Sequence, residues 1–224
     1  MSDIHSTSHS PQLLLASVLG MVETGDGDFG AIEHLAFASS DPESVDLTIE
    51  RLSLHPQAKK AFASRTPLAP IDLAKLQQLP TNTLGYCYAA HMLDNHLKPL
   101  QSPPAATERQ FLGTHITETH DLWHTVTGSK TDIYGEIQLE AFYVAQLEVS
   151  KFWLALLTKN LLKSLLYDLD AATSYMEAIT NGWTMGKTAR SLFGVDWDAL
   201  WEKPIEEVRA NLNIVGVAEL KYEA

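Results

Sequence analysis

The chain has one cysteine, no lysine or arginine in its first 50 residues, and no apolar run long enough to cross a bilayer. Alternating Val, Ile and Thr of the kind that builds strands is nearly absent. Each shortage excludes something. With Cys87 alone there is no intrachain disulfide, and its neighbours Tyr86, Tyr88 and Ala89 read as an ordinary buried helix position in a reducing compartment. The run Leu13 to Val22 lacks the basic stretch of a secretory signal, so we expect an amphipathic core helix there. A start with nine carboxylates in 50 residues does not read as an Arg-rich mitochondrial presequence. Sixteen basic against 28 acidic residues give a net charge of -12, which repels nucleic acid and acidic lipid headgroups. No nucleic-acid partner is expected. The expected setting is cytoplasmic, with at most peripheral contact at the inner face of a membrane.

What is present is helical periodicity. Apolar residues three and four apart recur along most of the 224 residues, and 45% hydrophobic content supplies a core. We expect an all-α, single-domain helical bundle over residues 1–224 with one long central helix pair, residues 1–10 flexible and the motif-bearing core at about 105–203. Pro42 and Pro56 start helices through Leu54 and Ser64, Asp72 to Leu79 forms a short helix stopped by Pro80, and Thr83 caps a helix to about Asn95. No proline occurs from Ala105 to Lys203. There Thr107 with Gln110 opens a helix ending near Thr127 at Gly128, and Asp132 caps a long helix from Ile133 to about Tyr167 with room for a bend. A further pair separated near Asn181-Gly182 follows, and Pro204 starts a last helix through Asn211.

The chemistry sits in the proline-free stretch. Leu112, Ile116, His120 and His124 advance by four residues, so the two histidines continue an inward-facing stripe and their imidazoles can meet at one ion. Asp121 lies about 100° around the helix from His120, where it can ligate, orient a histidine or act as base. Twelve residues after His124, Glu136 opens the next helix and faces the pair, with Gly135 permitting close approach. Two histidines and a carboxylate leave an open position, as catalytic metal sites do. Glu140, one turn on, is a candidate supporting partner.

His-x-x-x-His alone is more often two core histidines than a ligand pair, but buried carboxylates beside them are costly without a cation. Asp121 in place of the metalloprotease glutamate makes peptidase activity a weak reading. The His120-Asp121 pair resembles HD phosphohydrolases, for which His91, His96 or His115 would supply the upstream histidine, yet the His124 spacing does not fit that scheme. Phe142, Phe152, Leu156 and Leu161 form the candidate isoprenoid surface, with core packing as the plainer alternative. Lys151, Lys159 and Lys163 read as solvated. Met92, Met176 and Met185 read as gap-fillers, and the segment from Gly25 to Gly30 reads as a linker.

His120-Asp-Leu-Trp-His124-Thr-Val-Thr-Gly128 through Tyr134-Gly135-Glu136 resembles the diagnostic motif of the coenzyme Q biosynthesis protein 4 family: His-Asp-x-x-His, eleven residues, then Glu. The segment Ile71 to Pro80 with Leu84-Gly85, the stretch Tyr175 to Trp183, and the region Trp197 to Asn213 are also similar to that family. His115 and Thr117 stand in the turn before the motif, where the family carries basic residues. The resemblance implies an all-helical fold and a divalent metal, zinc first with iron or manganese as alternatives, held by His120, Asp121, His124 and Glu136. It implies oxidative decarboxylation at ring carbon 1 of a polyprenylated hydroxybenzoate, a lyase-type step; from its place on the helix, Asp121 is the candidate proton-transfer group if it is not a full-time ligand. A scaffold for other quinone-biosynthesis enzymes and a metal-dependent hydrolase are the alternatives. We also expect a homodimer.

Overall fold

The computed structural model describes residues 9–24 and 28–216, and among these there are eleven α-helices and no strand. The helices are Pro11–Glu23 (α1), Phe29–Ser39 (α2), Pro42–Leu52 (α3), Pro56–Ser64 (α4), Leu73–Leu76 (α5), Leu84–Asp94 (α6), Glu108–Thr127 (α7), Ile133–Leu147 (α8), Lys151–Tyr167 (α9), Ala172–Thr188 (α10) and Ile205–Asn211 (α11). Of the N-terminal stretch expected to be flexible, residues 1–8 lie outside the described residues, as do 25–27 of the expected linker. Ser10 caps α1.

The boundaries follow local chemistry. Thr107 accepts from the Gln110 amide at the start of α7, and Gly128 closes that helix in the left-handed conformation at φ 72°. Asp132 accepts from the Gly135 amide at 2.8 Å and starts α8. The long helix expected from Ile133 to Tyr167 is two helices. Glu148 turns to φ 58° and residues 148–150 redirect the chain, so the bend is a break. The reverse holds at Asn181-Gly182, where α10 runs through without interruption. Gly182 is there for packing: a side chain on it would overlap the Gln138 carbonyl oxygen of α8, and one on Gly186 would meet the Ala145 Cβ at 2.7 Å.

α7 and α8 form the motif-bearing pair, although α8 packs most closely on α10. α7 is flanked by α3, α4, α6 and α11, whereas α8 lies chiefly on α10 and α9. The core joins Leu122, Trp123, Phe142, Tyr143 and Leu147 of this pair to Phe62, Phe193 and Trp197. The chain after α10 is stitched back onto α6: the Leu84 and Gly85 amides donate to the Lys203 and Trp201 carbonyls at 2.8 and 2.9 Å. α6 and α11 are thereby fixed beside the last turns of α7.

The lysines expected to be solvated are not all so. Lys159 is buried, Lys151 pairs with Asp41, and Lys163 donates to the Thr24 carbonyl at 3.1 Å. These contacts tie α9 to the N-terminal helices, which already surround it.

Candidate metal centre

The stripe Leu112, Ile116, His120, His124 carries the two histidines toward the interior, and the short link 128–132 brings the first turn of α8 against them. Gly135 makes that approach possible, since a side chain there would overlap the Lys130 backbone. His120 Nε2 and His124 Nε2 lie 3.2 Å apart, and Glu136 Oε1 lies 3.4 Å from His124 Nε2. All three ligand atoms fall within 4.8 Å of one another.

The 3.2 and 3.4 Å separations about His124 match ligands of one ion. Bonds of about 2.0–2.1 Å in tetrahedral array put neighbouring ligand atoms about 3.3 Å apart. The other ring nitrogens are tied back. His124 Nδ1 is 3.0 Å from the Ser129 carbonyl, and His120 Nδ1 is 3.4 Å from the Tyr143 hydroxyl. With Nδ1–H donating to Ser129, His124 presents a bare Nε2 lone pair, the form that binds a metal. Ser129 is held in turn by Gln138, whose amide donates to its hydroxyl at 2.9 Å.

Burial shapes the charges. It drives His120 down to about 3, assisted by neighbouring His124. Burial also opposes charging of His124, but the Glu136 carboxylate and the Ser129 carbonyl outweigh it and raise that group. Glu136 is the mirror case: burial pushes it up, and its bond to His124 brings it below the usual range. A neutral imidazole, a second imidazole and an ionised carboxylate converging in a buried spot form an electron-rich donor set of the kind that can hold a divalent cation.

Asp121 stands apart from this trio. It is outside the three-ligand group, and its Oδ1 faces His91 Nε2 on α6 at 4.0 Å. Burial raises Asp121, and burial drives His91 down to about 4. Glu140 is buried one turn past Glu136 and accepts from the Asn160 amide at 2.7 Å. The four residues expected to meet a lipid do not form one open surface: Phe142 is fully buried, Leu156 is buried, Phe152 is half-buried, and Leu161 is 41% exposed.

Sequence reasoning missed Tyr143 in this neighbourhood and named His91 only as an upstream histidine for the HD scheme. Tyr143 sits between Trp123 and Trp153 with ring centroids at 4.3 and 3.8 Å, and this stack walls the site on the His120 side. His91 reaches the site from a helix almost 30 residues upstream in sequence, and no spacing rule links it to His124. Cys87, read as a buried position, is half-buried and lines a cavity of about 500 Å³. The same cavity is bordered by His91, His124, Ser129, Lys130 and Arg209 and gives access to the histidine cluster.

The chain matches the family model of "Coenzyme Q (ubiquinone) biosynthesis protein Coq4" over residues 4–217. The mitochondrial ubiquinone biosynthesis protein COQ4 homolog of Danio rerio is 26% identical over 184 residues, 78% of this chain and 60% of that protein. The corresponding Phaeosphaeria nodorum protein is 25% identical, covering 95% and 76%. This chain spans roughly half the length of several such relatives, for instance 45% of the Eremothecium gossypii protein. A crystal structure from Nostoc punctiforme, whose name points to ubiquinone biosynthesis, superposes with a TM-score of 0.83 at 26% identity, over 93% of this chain and all of that one.

Proposed function

Because the chain belongs to the coenzyme Q (ubiquinone) biosynthesis protein Coq4 family, we propose that it is a metal-dependent enzyme acting on a polyprenylated hydroxybenzoate. In the proposed reaction the ring carboxylic acid, dioxygen and one water give the ring-carbon-1 hydroxyl, carbon dioxide and hydrogen peroxide, a two-electron oxidation with dioxygen as the oxidant. The observation that carries the reading is the convergence of His120, His124 and Glu136 within 4.8 Å beside an open cavity.

His120, His124 and Glu136 would hold a divalent ion, which would supply Lewis acidity toward the ring carboxylate. His120 and His124 hold their Nε2 atoms toward the site because Tyr143 and Ser129 occupy the opposite nitrogens. Glu136 balances the charge. Asp121, close by and outside the trio, is the proton-transfer group. The Trp123–Tyr143–Trp153 stack keeps water from the His120 side. The isoprenoid tail is assigned to the α9 side, where Leu154, Leu161 and Leu165 are exposed.

Two observations favour other readings. Leu165, Leu166, Tyr167 and Leu169 make an exposed apolar stretch suited to a prenyl-lipid-binding scaffold that organises other quinone-biosynthesis enzymes or pairs with a second copy. The cavity lining of His91, Asn95, Thr131, Asp132 and Arg209 is polar, as a small-substrate hydrolase would have. Among the described residues no helix is long and apolar enough to cross a membrane, and the relatives' names place them in mitochondria. For this chain we propose a cytoplasmic setting with peripheral contact at a membrane's inner face.

The test is elemental analysis of wild type beside His120→Ala/His124→Ala, with lipid extracted from the same samples for mass spectrometry. Near-stoichiometric metal lost in the variant, with bound isoprenoid in the wild type, supports the enzyme. Wild type that stays metal-free after reconstitution with zinc, iron and manganese overturns it and leaves the scaffold. Metal without isoprenoid, together with turnover of water-soluble esters, favours the hydrolase.

A further inference from the structure

Arg209 of α11 borders the cavity that leads to the histidine cluster, and only part of its guanidinium is engaged by the fold. Nε donates to the Val126 carbonyl at 2.9 Å and Nη2 to the Thr125 carbonyl at 3.2 Å. One edge of the fork thereby satisfies two of the four carbonyls left over at the end of α7. Nη1 donates to Glu206 Oε1 at 2.7 Å. A guanidinium has five N–H groups, so one on Nη1 and one on Nη2 remain beyond these three bonds. The Glu206 side chain is 78% exposed, and an ion pair so open to water yields to a better-placed anion. α11 itself is held in place, because the Ile205 amide donates to the Asn82 carbonyl at 2.8 Å.

The charge of this cavity runs against that of the chain. The sequence carries 28 acidic against 16 basic residues, yet the fixed charges of the lining are Lys130 and Arg209 against Asp132 alone. Asp132 is committed to capping α8 through the Gly135 amide. Ile205 and the half-buried Cys87 add apolar surface, and a volume of about 500 Å³ is enough for an aromatic ring with its substituents. An arginine that borders such a space with donors left over suits a planar carboxylate, which takes two parallel bonds. We propose that the cavity binds the aromatic headgroup of the substrate and that Arg209 receives its carboxylate. This rests on the aromatic-acid substrate proposed above. His124 borders the same cavity, so a ring anchored there lies beside the candidate metal centre. Recognition by Arg209 needs no ion, and the two can be tested apart.

The probes are 4-hydroxybenzoate carrying one isoprene unit at ring carbon 3 and its carboxamide, which keeps the shape and loses the charge. Binding is measured by isothermal titration on the whole chain, checked for folding by circular dichroism, first after chelation and again with zinc. The variants are Arg209→Gln and Glu206→Gln. In chelated wild type the expected preference for the acid is about tenfold, as a charge-assisted hydrogen bond supplies. Arg209→Gln should lose that preference with the amide's affinity unchanged, and Glu206→Gln should tighten the acid alone, by about twofold. Chelated wild type without the preference overturns the inference. So does an equal loss of acid and amide in Arg209→Gln, which would leave Arg209 as a cap on α7. Should Arg209→Gln fail to fold, unchanged acid binding in Glu206→Gln overturns it. A preference that arises only with zinc assigns the carboxylate to the ion, which overturns this inference and leaves the metal reading standing. Wild type that binds no zinc while the Arg209-dependent preference persists overturns the metal reading alone.

Discussion

Along α8, the side against α10 and the end against the α7–α8 link are packed in opposite ways. Toward α10, Gly182 and Gly186 let the two backbones meet with no room for a side chain. Toward the link, contacts are polar and one residue deep: Asp132 to the Gly135 amide, Gln138 to Ser129, Ser129 to His124. The first arrangement fixes where α8 lies. The second fixes where Glu136 and two imidazoles point, and it borders the cavity. Stability and ligand geometry are therefore lodged on different sides of one helix, and substitutions should separate them.

The largest separation is expected at Gly182. Gly182→Ala gains helix propensity but overlaps the Gln138 carbonyl, and backbone cannot swing aside as a long side chain can. We expect a net loss of about 3 kcal/mol in urea unfolding. In protein still folded at low denaturant, metal content should be retained. Loss of metal from the folded variant would show that the α8–α10 side also sets ligand geometry.

His115 extends the comparison to pH. It lies on α7 two turns before His124 on another face, accepts from the Gly194 amide at 3.1 Å, and burial drives it down to about 4 from the ordinary 6.5. The folded state therefore resists protonation that the unfolded chain accepts. Its share of stability is complete above pH 6.5 and is lost as pH falls from there toward 4, amounting to about 3 kcal/mol. Unfolding free energies of wild type and His115→Gln across that window should converge as pH falls, because only the wild type carries this penalty. Parallel curves would assign the acid sensitivity to other groups.

How far the sequence revealed all this depends on distance along the chain. Caps were legible because they are local: Thr107, Gly128 and Asp132 act within three or four residues. The pairing of His124 with Glu136 was legible because a five-residue link leaves an antiparallel neighbour little choice. Asn181-Gly182 was misleading because the same glycine signals a break or a close approach, and only α8 decides which. The break at Glu148 carries no glycine or proline, so the sequence had nothing to mark it beyond room for a bend. Tyr143 was invisible as a site residue, and His91 was visible only as an upstream histidine for the HD scheme, because helix periodicity says which face is buried, not which foreign helix meets it. For the same reason Phe142 could be placed on an apolar face but not distinguished from core.

The smallest effect is expected at Tyr143, and it tests whether the aromatic wall belongs to the fold or to the site. Tyr143→Phe keeps the ring between Trp123 and Trp153 and removes only the hydroxyl facing His120 Nδ1. The stack accounts for most of what that side chain contributes to packing, so unfolding should change by less than about 1 kcal/mol. The hydroxyl is a different matter. Freed from it, His120 can rotate or change tautomer, and outer partners of this kind are worth about 10–100-fold in metal affinity. At 3.4 Å the bond is long, which places the expected loss near tenfold by competition with a chromophoric chelator. Unchanged affinity would leave Ser129 as the support that matters and make Tyr143 a packing residue. A loss of stability without a loss of affinity would put the aromatic wall on the same footing as the α8–α10 contact.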